Sequence, residues 1–138
     1  MIRNIPVSEI MSISLITVQL ESKLEDVKEI FKKKAIRHIP VVNKNVIVGM
    51  LSYSDILKAS YSELSEDDKD LESSLFDWYT VKQVMTKSLF LVSPSTTIKE
   101  VGKLLSEKEF HALPVVDCGE LVGIVTSTDL IKYLVNNL

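Results

Sequence analysis

Apolar and polar positions alternate along this chain in a fixed order of periods. Val7, Ile10 and Met11 stand at i, i+3 and i+4, which predicts one helical turn. Leu15-Ile-Thr-Val18 predicts a short extended piece. Leu24, Val27, Ile30 and Phe31 then draw a stripe at helical spacing, and Ser22-Lys-Leu-Glu25 ahead of it has the pattern of a capping box. Val41, Val42 and the run Ile47, Val48, Met50, Leu51 are nearly continuous in apolar character, as in strands buried on both faces. Asn43-Lys-Asn45 between them has hairpin-turn chemistry. A last helix begins near Ser54, whose hydroxyl is a candidate cap.

The same order then recurs. Positions 7–58 align with 81–132 at a displacement of 74 without a gap, and fourteen of the 52 pairs are identical. Chance from ordinary composition gives roughly one pair in sixteen. The matched landmarks include Pro40 and Pro114, Gly49 and Gly123, and Asp55 and Asp129. In the second copy Thr96 or Thr97 is the expected cap. Ile98, Val101, Leu104 and Leu105 form the stripe, Asp117-Cys-Gly-Glu120 the turn, and Thr128 the start of the last helix. Gly102 falls inside a predicted helix at a cost of about 1 kcal/mol relative to Ala, which suggests close packing there. The chain is a tandem duplication, divided into repeat 1 (1–58), a linker (59–80) and repeat 2 (81–138).

Composition narrows the function classes. The chain has 138 residues, 46% hydrophobic and 25% charged, which are globular values. A formal charge of −3 argues against a nucleic-acid surface. A single cysteine, Cys118, forms no internal disulfide, and no redox role is expected of it. With no membrane span and no leader pattern, a cytoplasmic protein is expected. The linker is acidic from Glu63 to Glu72 but lacks the Asp/Asn-and-Gly spacing of a calcium loop, so it reads as a solvated connection. It is expected to extend the preceding helix, turn, and repack through Trp78 and Tyr79. No nucleophile–base pair, glycine-rich phosphate loop or metal-ligand cluster is apparent, so no catalytic activity is expected.

Two β-α-β-β-α units, each with Pro-Val-Val on its first hairpin strand and Val-Gly-x-x-[Ser/Thr]-x-[Ser/Thr]-Asp closing its second, resemble a tandem CBS-domain pair, of the small stand-alone kind. The resemblance implies an α/β fold of the α+β type: two pseudo-twofold-related repeats packed through their sheets, with two clefts between them. It also implies adenosine ligands in those clefts, among AMP, ADP, ATP and S-adenosylmethionine, as regulatory ligands rather than obligatory cofactors. The motif Asp then binds ribose hydroxyls and the preceding Ser/Thr side chains meet phosphate, while backbone and apolar groups near the Pro cradle the base. The expected partners are the nucleotide, a second copy in a flat homodimer and a regulated protein. The competing reading is a ligand-free dimerisation or interaction module.

The residues carry chemistry of their own beside that resemblance. Asp55 follows Ser52 and Ser54, and Asp129 follows Thr126 and Thr128. A carboxylate accepts from vicinal hydroxyls, and hydroxyls with free amides at a helix start suit an anion. The plainer reading makes Ser54 and Thr128 helix caps and each Asp an ordinary first-turn residue. Arg37 and His38 precede Ile39-Pro40, where a guanidinium meets phosphate bidentately; His111 and Ala112 precede Leu113-Pro114. The stronger phosphate contacts are therefore expected from repeat 1. The alternative is surface charge at a strand entrance. Ile16, Thr17 and Ile39, with Phe90, Leu91 and Leu113 in the copy, either line a base pocket or pack the core.

Overall fold

The computed structural model describes residues 4–61 and 79–138. The acidic stretch and Trp78 of the expected linker lie outside them. Among the described residues, a 3-10 turn at Val7–Glu9 leads to β1 (Val18–Gln19), α1 (Leu24–Lys33), β2 (His38–Asn43), β3 (Val46–Ser52) and α2 (Tyr53–Tyr61). The second copy follows with α3 (Val81–Val84), α4 (Ile98–Glu107), β4 (Ala112–Asp117), β5 (Glu120–Thr126) and α5 (Ser127–Asn136). The strand-helix-strand-strand-helix order read from the periodicity is present in repeat 1. In repeat 2 the first strand shrinks to a single parallel bridge, Val92 to Val115.

The hairpins match residue for residue. β2 pairs antiparallel with β3 from His38↔Ser52 to Asn43↔Val46, and β4 with β5 from Ala112↔Thr126 to Asp117↔Glu120. Both registers slip just before the second strand's glycine, leaving Val48 and Val122 as the extra residues of a bulge. The two-residue turns have positive φ at both positions: Lys44 (50°) and Asn45 (67°), then Cys118 (51°) and Gly119 (82°). That is the primed geometry whose twist suits a tight hairpin. Only the second turn places a glycine where left-handed backbone is wanted.

Compact units and sequence repeats do not coincide. One unit comprises the described residues within Ile16–Ser88, the other those within Met1–Leu15 and Leu89–Leu138. The leader of each repeat packs on the other copy's hairpin and helices. Val7 is fully buried with Val101, Leu113, Val115 and Val125, while Val81 is fully buried with Leu24, Val27, Ile39 and Leu51. Full burial of a side chain of this size stabilises by about 1.5–3 kcal/mol. Hydrogen bonds hold each leader: Ser12 and Ile124 exchange a backbone pair at 2.8 and 3.0 Å, as do Met50 and Thr86 at 3.0 and 2.9 Å.

Glycine creates the seat for each leader. A Cβ on Gly123 would lie 2.6 Å from Met11 Sδ and 3.2 Å from the Ser12 carbonyl oxygen, and one on Gly49 would collide with Met85. A one-turn leader cannot hold itself together in water, so its shape comes from this notch. Gly102 is the reverse case. The nearest atom to an added Cβ there is Leu130 Cδ1 at 3.9 Å, an ordinary contact, so the expected close packing is absent.

One capping expectation needs correction here. α1 begins at Leu24 with Lys23 at its N-cap and no side-chain cap. The Ser22 hydroxyl instead accepts from Gln19 N–H at 2.9 Å, closing the turn before the helix, and Lys23 is drawn into a bridge with Thr80. α4 does have a capping box, from Thr97 and Glu100. The helix stripes are otherwise as expected: Leu24, Val27 and Phe31 in α1 and Val101 in α4 are buried.

Candidate functional site

Each hairpin carries its predicted site residues to one end. In the unit around β2 and β3, His38 stands opposite Ser52, and Tyr53 N–H at the start of α2 donates to the Arg37 carbonyl at 2.9 Å. In the other unit Ala112 stands opposite Thr126, and Ser127 N–H donates to the His111 carbonyl at 3.0 Å. The strand entrance and the helix start are thereby tied together in both copies. Val18 pairs with Val41 in parallel, which carries Ile16 and Thr17 alongside Ile39 and Pro40. Val92 N–H donates to the Pro114 carbonyl at 3.1 Å and brings Leu91 beside Leu113 and Pro114.

The Ser/Thr-to-Asp step is a reciprocal cap. Asp55 N–H donates to Ser52 Oγ at 3.0 Å, and Ser52 N–H returns to Asp55 Oδ2 at 3.1 Å. In the copy, Asp129 N–H donates to Thr126 Oγ1 at 3.2 Å, while Thr126 N–H and its hydroxyl both donate to Asp129 Oδ2, at 2.8 and 3.1 Å. The capping hydroxyls are therefore Ser52 and Thr126, and the expectation that Ser54 and Thr128 cap these helices is corrected. The helices simply begin one residue earlier, so the hydroxyl three positions before each Asp has the reach. Ser54 Oγ lies 3.0 Å from Ser52 Oγ, and Thr128 is exposed.

The caps engage Oδ2 of each half-buried Asp; Oδ1 makes no hydrogen bond among the described residues. Each carboxylate is thus fixed in direction by its own helix. The positively charged side of the step differs between copies. Arg37 is exposed and His38 half-buried, whereas the copy has exposed His111 and half-buried Ala112. Ile39, Pro40, Leu113 and Pro114 are buried, so their side chains belong to the core as much as to any pocket wall. Thr17 is exposed, and Leu91 is 49% exposed. A cavity of about 300 Å³ in the second unit is lined by Glu9, Ile10, Lys132 and Tyr133 among others, and Asp129 is the single predicted site residue on its wall.

At this end Phe90, which the sequence offered as a base-pocket or core residue, meets Phe110 and Lys108, whose part sequence reasoning missed. Phe90 and Phe110 have ring centroids 5.3 Å apart and tilted by 52°, and Lys108 Nζ lies 5.4 Å from the Phe90 centroid. The signal was there in the copies, which place Ile16 and Ile36 where repeat 2 has Phe90 and Phe110. Among the described residues no group of three or more His, Cys, Asp and Glu is placed to hold a metal ion, and no helix is long and apolar enough to cross a membrane.

Comparison with known proteins places this geometry. The profile of the CBS domain matches twice, at residues 7–62 and 81–136. The chain is 30% identical over 132 residues to the uncharacterized protein MJ1225 of Methanocaldococcus jannaschii, covering 95% of this chain and 43% of that one. Its fold is similar to that of CBSX2 in complex with AMP, with 28% identity, a TM-score of 0.79 and coverage of 96% and 98% of the two chains. It is equally similar to the CBS domain pair of protein MJ0100 in complex with 5'-methylthioadenosine and S-adenosyl-L-methionine, with 25% identity, a TM-score of 0.80 and coverage of 99% and 100%. With two family matches over most of its length and two hairpins ending in the same capped Asp, this chain belongs to the CBS-domain family as a tandem pair.

Proposed function

We propose that the chain is a regulatory module that binds adenosine compounds and passes the bound state to a partner protein. The carrying observation is the duplicated cap. Asp55 and Asp129 are each held through Oδ2, with no hydrogen bond to Oδ1 among the described residues, beside a strand entrance that bears Arg37 and His38 in one copy and His111 in the other. Vicinal ribose hydroxyls are donors of the right spacing, and the Ser52, Ser54, Thr126 and Thr128 hydroxyls stand at helix N-termini, where phosphate is favoured. The adenosine ligands named for CBSX2 and for MJ0100 support the same reading. Arg37, as a permanent cation with bidentate geometry, gives its copy the stronger grip on a phosphate tail. Binding transmits a signal because ligand affinity differs between two conformations of the module.

Melting temperature with AMP, ADP, ATP and S-adenosylmethionine at millimolar concentration tests this directly. A ligand that binds the folded state alone stabilises by RT ln(1 + [L]/Kd), about 2.7 kcal/mol at a hundredfold excess over Kd. A rise with at least one of the four is expected. No change with any of them removes the sensor reading.

An exposed stripe supports the rest of the proposal. Ile131, Leu134 and Val135 on α5 are 59%, 58% and 64% exposed, at i, i+3 and i+4 on one helix face. We assign this face to a second copy, giving a homodimer. It also favours the second reading, an interaction module whose role is association alone. The nucleotide titration separates the two.

A further inference from the structure

The two leaders sit in matched notches but are not equally secured. The second is an α-helical turn with a capping box: Gln83 N–H donates to Thr80 Oγ1 at 3.3 Å, and Thr80 N–H donates to Gln83 Oε1 at 3.0 Å. The first is a 3-10 turn of three residues behind Pro6, with no side-chain cap. Such a turn has poorer hydrogen-bond geometry and depends on what it packs against. Each leader ends in a methionine whose thioether lies over the glycine of its notch, Met11 on Gly123 and Met85 on Gly49. Met85 is buried, at 9% exposure, whereas Met11 is half-buried. The less secured leader is therefore also the one whose methionine is more open to water.

We propose that Met11 is an oxidation-sensitive latch: a peroxide converts its thioether to the sulfoxide, and the first leader leaves the Gly123 notch. The sulfur attacks one peroxide oxygen, and the S–O bond forms as the O–O bond breaks. Sulfur gives up two electrons, and the departing hydroxide takes the proton left on the transferred oxygen and leaves as water. A flexible apolar side chain becomes a polar one. The thioether fills the space that a Cβ on Gly123 would need, 2.6 Å from Met11 Sδ, so an oxygen on that side of the sulfur has no room. The Ser12 carbonyl oxygen, 3.2 Å from the same point, is an acceptor and repels a sulfoxide oxygen instead of pairing with it. Release takes Val7 out of its place beside Val101, Leu113 and Val125 and breaks the backbone pair between Ser12 and Ile124. Ile124 lies on β5 two residues before Thr126, whose hydroxyl caps α5. Oxidation thereby reaches the strand that leads into the duplicated cap.

The test treats the full chain with hydrogen peroxide, follows each methionine by peptide mass spectrometry and reads amide hydrogen exchange on the same samples. Met11 gains its oxygen several-fold faster than Met50 or Met85. The Val7, Ser12 and Ile124 amides lose protection in step with it, while the Met50 and Thr86 amides of the other notch keep theirs. Methionine sulfoxide reductases acting on both epimers restore the lost protection. Met11→Leu keeps the volume without the sulfur, and it holds its protection at peroxide doses that open the wild-type chain. Equal oxidation rates at Met11 and Met85 overturn the latch, as does full protection in a chain that carries Met11 sulfoxide. The same loss of protection in peroxide-treated Met11→Leu, which retains Cys118, also overturns it, because another side chain is then responsible.

Discussion

The two compact units share a hairpin, a bulge and a capped helix, yet they distribute apolar surface differently. The unit around β2 and β3 turns its large side chains inward. Leu24, Ile39, Leu51 and Ile56 are at most 1% exposed, and Phe31 packs edge-on against Tyr53 with centroids 5.7 Å apart. The other unit turns many of its own outward. Of the described large hydrophobics that are exposed, all except Val46 belong to it: Ile13, Phe90, Leu91, Ile131, Leu134, Val135 and Leu138. Its last helix buries no residue, whereas Ile56 on α2 is 1% exposed. One duplicated pattern has become a self-contained half and a half that presents surface.

The largest test of that contrast compares matched core positions. Ile56→Ala should cost about 2–5 kcal/mol by urea denaturation, because it empties a fully enclosed site. Leu130→Ala, at the matched but half-buried position, should cost less than half as much. Equal losses would break the contrast.

A middle-sized effect tests whether the leaders belong to their seats. Gly123→Ala forces Met11 and the Ser12 backbone aside and should cost about 1–3 kcal/mol. Adding Met11→Ala makes room for the new methyl, so the double variant should lose less than the sum of the single ones. Strict additivity would mean that Met11 does not occupy the glycine notch. The smallest effect has the opposite sign. Gly102→Ala should stabilise by about 1 kcal/mol, since helix propensity improves and the added methyl meets only ordinary contact.

Much of this was legible in the chain, for identifiable reasons. The duplication carried the fold, since period and turn chemistry repeat where β2, β3, β4 and β5 are found. The step to Asp55 and Asp129 was legible as chemistry, because the same hydroxyl-and-carboxylate arrangement occurs twice. The exchange of leaders was not legible. Val7–Met11 and Val81–Met85 have nearly the same pattern, and Gly49 and Gly123 make the same notch. Nothing local says which leader fills which seat. Cap position was also out of reach, because Ser52 and Ser54, like Thr126 and Thr128, both offer a hydroxyl. Only the distance to the Asp amide decides between them. Gly102 misled because a helical glycine looks the same whether it faces a neighbour or open space.

Calorimetric titration of AMP and S-adenosylmethionine into the wild-type chain and Asp55→Ala/Asp129→Ala tests the central claim most directly. The account predicts that the wild-type chain binds at least one of these ligands. The double variant should melt cooperatively, with a loss near that of two helix caps, about 1 kcal/mol each, and bind neither ligand measurably. Undiminished binding by a folded double variant would contradict the account, because the two capped carboxylates would then have no part in the site.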